Sequence, residues 1–193
     1  MTTTIIAGTP NPAGGMYYGP TGTALPTDST TALDVALLSL GVVSNDGMAA
    51  SKSRDTTNVT DWLGNIVLVL QTAYTETYVV TLIEALKSDV AKLVAGDGNV
   101  TATAATGGTG NKLAVVNDGQ QLPHKAFVFD LLHAATGATK RIAIPDGQVT
   151  SVGDVTYSNS AAVGYQVTIT AFKDSSGNFS YEYTDDGSGS SSS

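Results

Sequence analysis

Cysteine is absent from the 193 residues, which excludes a disulfide framework, a thiolate metal site and a cysteine nucleophile. Charge is scarce as well. Lys, Arg, Asp and Glu make up 13% of the chain, where an average globular protein has roughly a quarter, so little charge is available to solvate a free surface. What charge there is leans acidic, 9 Lys plus Arg against 17 Asp plus Glu for a net −8. No basic footprint of the kind that grips phosphates is present, and direct nucleic-acid binding is not expected. No apolar run approaches the ~18 residues of a membrane span. Met1 to Gly8 lacks the positive start and long apolar stretch of a signal peptide, so a soluble product of the cytoplasm, without membrane binding of its own, is expected.

Catalytic sets are missing too. His124 and His133 are the two histidines; neither stands near a serine in a nucleophile-elbow context, and neither has metal-ligand spacing to other residues. Gly107-Gly108-Thr109-Gly110-Asn111-Lys112 resembles a phosphate loop superficially, but it lacks the Gly-Lys-Ser/Thr ending and opens no helix. Asp46, Asp97, Asp118, Asp146, Asp174 and Asp185 sit in turn contexts, where a short carboxylate bonds to nearby backbone. The chain is therefore read as neither enzyme nor metalloprotein, with no cofactor.

What the chain does have is Thr, Ser, Ala, Gly and Val, a composition of strands and turns, at a length suited to one core. Residues 1–31 carry Pro10, Pro12, Pro20 and Pro26. Each removes a backbone donor, so an extended N-terminal arm is expected there rather than a central strand, with Ile5, Ile6, Met16, Tyr17 and Tyr18 as anchors on a neighbour. After Pro26, Asp28, Ser29 and Thr30 offer oxygens for a helix start, and Leu33, Leu37 and Leu40 follow at helical spacing. This predicts a short helix over 29–40 whose leucine stripe needs a partner surface, closed by Gly41. A polar, turn-rich stretch follows, and a long loop over about 44–61 is expected, with Lys52, Arg54 and Asp55 clustered in it.

Ile66 to Leu70 is a continuous apolar run, and an alternating pattern follows, with Tyr74, Tyr78, Val80 and Leu82 on one side and Thr75, Thr77, Thr81 and Ile83 on the other. That is the strongest strand signal in the chain, with Glu76 interrupting its apolar side as a bend, a bulge or a join between two strands would. Trp62, the single tryptophan, is expected in a core or a subunit contact. Ser88 is positioned to cap a short helix over 88–95, with Val90, Leu93 and Val94 on one face and Gly96 beyond it. Short strands follow at 113–116, 125–132, 141–144, 148–156, 163–172 and 179–183, separated by turn signals that include Asp146-Gly147. The fold class is thus mainly β, a sandwich or barrel with one or two short helices: an arm (1–31), one β-rich domain (32–186) and a Gly/Ser tail (187–193) of linker composition.

The order Gly22-Thr23-Ala24-Leu25-Pro26-Thr27-Asp28, the spaced leucines, Leu40-Gly41 and the Asp46-Gly47 turn resembles the major tail tube proteins of long-tailed bacteriophages, especially those of actinobacterial hosts. The likeness continues through Thr60-Asp61-Trp62-Leu63-Gly64, Thr72 to Leu86 and Ser88 to Ala95, covering about the first half of the chain. It implies the tail tube type of β-sandwich and subunits that form hexameric rings stacked into a conduit for the genome. It also implies a loop near 44–61 that helps rings stack, where Lys52, Arg54 and Asp55 would suit a polar contact or simply a solvated surface. Ile5, Ile6, Tyr17, Tyr18, Leu25, Leu33, Leu37, Leu40, Lys52, Arg54 and Asp55 are the candidate subunit contacts. The implied partners are the chain itself, a tape measure protein, and tail tip or initiator and terminator proteins, with DNA passing through unbound. The implied location is the virion tail, after synthesis in the host cytoplasm. The competing class is a monomeric β-sandwich module that binds carbohydrate or a cell surface through Tyr17, Tyr18 or Tyr181. On the arm reading, removal of residues 1–24 is expected to leave sheet content unchanged, by circular dichroism, while abolishing assembly.

Overall fold

The computed structural model describes residues 8–11, 14–160 and 162–188. Among them the chain is mainly β, with a single α-helix. In order, the elements are β1 (Met16–Pro20), β2 (Leu38–Ser39), β3 (Val43–Thr60), β4 (Ile66–Leu82), α1 (Ser88–Ala95), a 3₁₀ turn (Asp97–Asn99), β5 (Val100–Thr103), β6 (Lys112–Val115), β7 (Lys125–His133), β8 (Ala138–Val152), β9 (Tyr165–Ala171) and β10 (Tyr181–Asp185).

Eight strands form one antiparallel sheet in the order β2-β1-β7-β8-β9-β4-β3, with β10 also on β8; β5 and β6 pair separately. The sheet can curl because β8 changes partners along its length. Its first part pairs with β7 on one edge and, over Thr139–Ala143, with β10 on the other. Its last part, Gly147–Val152, pairs with β9. β4 and β7 are therefore separated by two strands, yet the rings of Tyr78 (β4) and Phe129 (β7) stack at 5.6 Å between centroids. The β7 and β4 sides of the sheet thus face each other across a core that holds Met16, Leu40, Tyr78, Leu82, Phe127, Ile144 and Ile169. Val90 and Leu93 of α1 join the same core, which gives a helix too short to persist alone its stabilising contact.

Asp146-Gly147 reads in the sequence as a turn between two strands, but β8 runs straight through it. A register shift against β7 between Lys125 and Phe127 marks a bulge there, which is where a strand tolerates a proline such as Pro145. Gly147 is needed for space: a Cβ on it would lie 2.9 Å from the Phe127 ring.

Three further expectations are corrected. No helix forms over 29–40. The Asp28 carboxylate does accept the N–H of Thr30, at 2.8 Å, as a helix cap would, but Arg141 Nη1 donates to the carbonyls of Asp28 (3.2 Å) and Thr31 (2.7 Å). The Asp34 carboxylate takes the Ala36 N–H at 2.8 Å. Side chains thereby occupy the backbone groups that a helix would have paired. The leucine spacing instead serves two faces of the sheet: Leu33 and Leu37 pack on Val128 and Ala143 outside, and Leu40 enters the main core. Nor are residues 44–61 a loop, since β3 pairs with β4 from Val43 to Thr60, with three register shifts. And α1 starts at Ser88 without a side-chain cap bond.

The arm is corrected in part. Residues 1–7, with Ile5 and Ile6, and residues 12–13 lie outside the described residues, as do 189–193 of the C-terminal tail. Met16–Pro20, however, is β1, hydrogen-bonded to β7 along its whole length and to β2. Pro20, at the strand's last position, ends it without costing an interior donor. Met16 and Tyr18 are buried in the main core. Deleting residues 1–24 would remove a strand from the sheet rather than a free arm. Accordingly, Met16→Ala should lower the unfolding free energy by ~2–5 kcal/mol, as truncation of a buried side chain does; urea titration showing an unchanged midpoint would return Met16 to an arm outside the domain.

Candidate assembly surface

β9 pairs with β4 only over Glu76–Leu82. Below that level β3 is the one strand among the described residues that pairs with β4, so the segment from about 53 to 75 stands out from the described domain as a two-stranded hairpin. Isolated hairpins are marginal in water, and this one is apolar where it is least supported. Ile66, Val67, Leu68, Val69 and Leu70 are each 47–62% exposed. Because the run is continuous rather than alternating, both faces of the strand carry apolar side chains, the pattern of a strand that is buried on both sides. Exposed contiguous apolar surface of this kind marks an interaction site.

The hairpin ends in a turn that Asp61 organises. Its carboxylate accepts the N–H groups of Leu63 (2.9 Å) and Asn65 (2.8 Å), and Gly64 takes the left-handed conformation at φ +85°, which favours glycine. Trp62 and Leu63 project from this turn almost wholly exposed. Trp62 is thus not a core residue of its own chain.

At the root of the hairpin, Glu76 is buried with its carboxylate ringed by donors. Tyr74 Oη donates to Oε2 at 2.7 Å, Tyr78 Oη and Ser180 Oγ donate to Oε1, and Lys52 Nζ lies 3.8 Å away. Lys52 also bonds to Glu182 at 2.6 Å, and Glu182 to Lys140 at 2.8 Å, which ties β3 to β10 and β8. Tyr74 packs edge-on against Phe179 at 4.8 Å, with the Arg54 guanidinium 4.9 Å above its ring. Glu76, read in the sequence as an interruption, is the polar post on which the hairpin is mounted. Nothing in the local sequence could reveal this, because Ser180 and Glu182 come from the far end of the chain.

The other expected contact residues divide by location. Lys52, Arg54 and Asp55 lie together on exposed β3. Leu37, Leu40 and Tyr18 are buried within the chain itself, so their side chains are not surface. Leu25, Leu33 and Tyr17 are half-buried on the outer-face cluster, as is Tyr181; Tyr17, Tyr18 and Tyr181 therefore form no exposed aromatic platform. Beneath residues 28–31, Arg141 and Asp130 make a buried bidentate pair, Nη2–Oδ2 at 3.1 Å and Nε–Oδ1 at 3.3 Å. The histidines are apart: His124 Nδ1 meets Asp146 Oδ1 at 2.6 Å and His133 meets Thr136. Among the described residues no group of three or more His, Asp or Glu is placed to hold a metal, and no helix is long and apolar enough to cross a membrane.

Burial acts to raise the Glu76 pKa, but the hydrogen bonds from Ser180, Tyr78 and Tyr74 and the charge of Lys52 outweigh it, leaving the pKa below the ordinary 4.5. A depressed carboxylate pKa stabilises the fold fully above the unfolded value and loses that contribution as pH falls through the folded one. Glu76→Gln should therefore destabilise the subunit by about 2–3 kcal/mol at pH 7. The gap to the parent chain should narrow below pH 4.5 in denaturant titrations at a series of pH values; a gap independent of pH would show that Glu76 does not act as an anion.

Among solved structures, the anti-feeding prophage tube-terminating cap is 12% identical, with 94% of this chain and 95% of that chain covered and a TM-score of 0.42. The sheath/tube terminator of the PVC extracellular contractile injection system in its extended state is 11% identical, with 90% and 96% covered and a TM-score of 0.43. No curated protein matches the chain. The model of a family described as phage tail tube protein matches residues 2–188. A strand-rich domain whose apolar hairpin has no cover among the described residues is in keeping with that match over nearly the whole sequence, and the chain belongs to the phage tail tube protein family.

Proposed function

We propose that this structural tail protein closes into rings, hexameric as in the tail tubes it resembles, which stack into the conduit for genome delivery. The observation that carries the reading is the hairpin: five consecutive apolar residues and a Trp-Leu tip stand in solvent on a two-stranded support. Burying them in an assembly would recover roughly 25 cal/mol for each Å² removed from water. The low charge content fits a surface that copies of the same chain largely cover. A net charge of −8 fits a conduit that must let DNA pass, because basic walls would hold the phosphates through counterion release. Only groups within roughly 8 Å of the lumen would act on the DNA at physiological salt. The partners in this reading are the chain itself, a tape measure protein, and the tip or initiator and terminator proteins of the tail. The location is the virion, after synthesis in the host cytoplasm. No catalytic step is required of the subunit.

Purified protein supplied with its initiator complex and tape measure protein should form rings or tubes of uniform width in electron micrographs. Val67→Asp with Val69→Asp should retain the circular dichroism spectrum of the parent and yield only monomers. A parent chain that stays monomeric with those partners, or a double variant that still builds tubes, would refute the reading.

A further inference from the structure

The end of β4 opposite the hairpin tip opens onto a groove of about 810 Å³, lined by Ile83, Leu86, Lys87, Tyr157, Val163 and Tyr165 among others. Its volume is within the ~300–1,000 Å³ range that admits a drug-sized ligand. Leu86 is 93% and Tyr157 77% exposed, so no described part of the same chain covers these walls. The tip offers the convex counterpart, with Trp62 and Leu63 projecting from a turn that the Asp61 carboxylate holds in shape. Groove and tip stand at opposite ends of a strand of 17 residues, roughly 50 Å at the usual rise per residue. They cannot meet within one chain.

We propose that Trp62 and Leu63 of one copy seat in the Leu86–Tyr157 groove of a second copy in the adjoining tier, an inference that rests on the tube reading above. Two features select this occupant. The tip is an apolar knob with an aromatic large enough to bury 150–250 Å², and it matches the apolar walls of the groove. Charge agrees as well. Glu84 at the groove already accepts the Val42 N–H at 2.8 Å, and Lys87 lies 3.9 Å from it, which leaves Lys87 donors for the Asp61 that precedes Trp62. Each copy gives one tip and receives one. The contact is heterologous and does not close on itself, the symmetry that extends a filament in one direction.

The absence of cysteine makes a site-pair test clean. Tubes assembled from an equal mixture of Trp62→Cys and Tyr157→Cys chains, treated with a short bismaleimide, should give cross-linked dimers. The double variant should give a ladder of covalent multimers. Trp62→Ala should raise the protein concentration needed for assembly about tenfold, as loss of an interface hot spot does, with Trp62→Phe recovering most of it. Both should keep the parent's melting temperature, because the side chain is in solvent in the free subunit. Tubes that form without the 62–157 cross-link, or that cross-link 62 to 62, overturn this docking and leave the tube reading intact. A cross-link from Ile6→Cys to Tyr157→Cys, which would give the groove to the N-terminal residues, also overturns it. Absence of tubes from the parent chain itself overturns both.

Discussion

The backbone hydrogen bonding of β8 is the constraint on which the rest of the structure depends. One strand gives an edge to β7 and divides the other between β10 and β9. Two groups of strands are thus joined through a single bulged segment around Pro145 and Gly147. A flat sheet could not bring Tyr78 onto Phe129; a sheet that bends at the bulge can. Once it is curled, its inner face is filled by aromatic and β-branched side chains, and α1 covers an open part. The outer face needs its own cover, which the segment through Leu25, Leu33 and Leu37 supplies, pinned by Arg141.

That closure also decides where the chain is left incomplete. β9 is short, so it supports only the last part of β4. Everything beyond Glu76 extends past the core, and Glu76 with its ring of donors fixes the angle at which it leaves. A buried carboxylate is costly unless each oxygen is bonded, and here Tyr74, Tyr78 and Ser180 meet that requirement. The same groups that make the carboxylate tolerable make the hairpin's root stiff. Stiffness at the root would favour the docking proposed above, because a pre-ordered projection loses less entropy on docking than a floppy one.

Several elements were legible in the sequence because their signals are local. Tyr78, Val80 and Leu82 fall at every second position and do face the core, and α1 occupies Ser88–Ala95, where Val90 and Leu93 share a face. Misreadings arose where a local signal had a distant competitor. Leu33, Leu37 and Leu40 have helical spacing, but Arg141 and Asp34 take the backbone groups of that stretch. The polar residues of 44–61 read as a loop, yet a strand with no body to pack against has no reason to alternate. Pro20 argued against a strand that ends at Pro20. Trp62, for which a core or a subunit contact was expected, stands exposed in its own chain, because the turn that carries it lies beyond the reach of the core.

By itself the sequence determined the class of molecule: a β-rich, acidic, cysteine-free chain with an apolar surplus, since composition and two-residue periodicity act within a few neighbours. Only the tertiary structure decided which apolar residues are surplus. Ile66–Leu70 and Leu40 are equally hydrophobic on paper. What separates them is that β9 ends before it can cover the first, while β1 and β7 close over the second, and the reach of one strand along another is a property of the folded sheet alone.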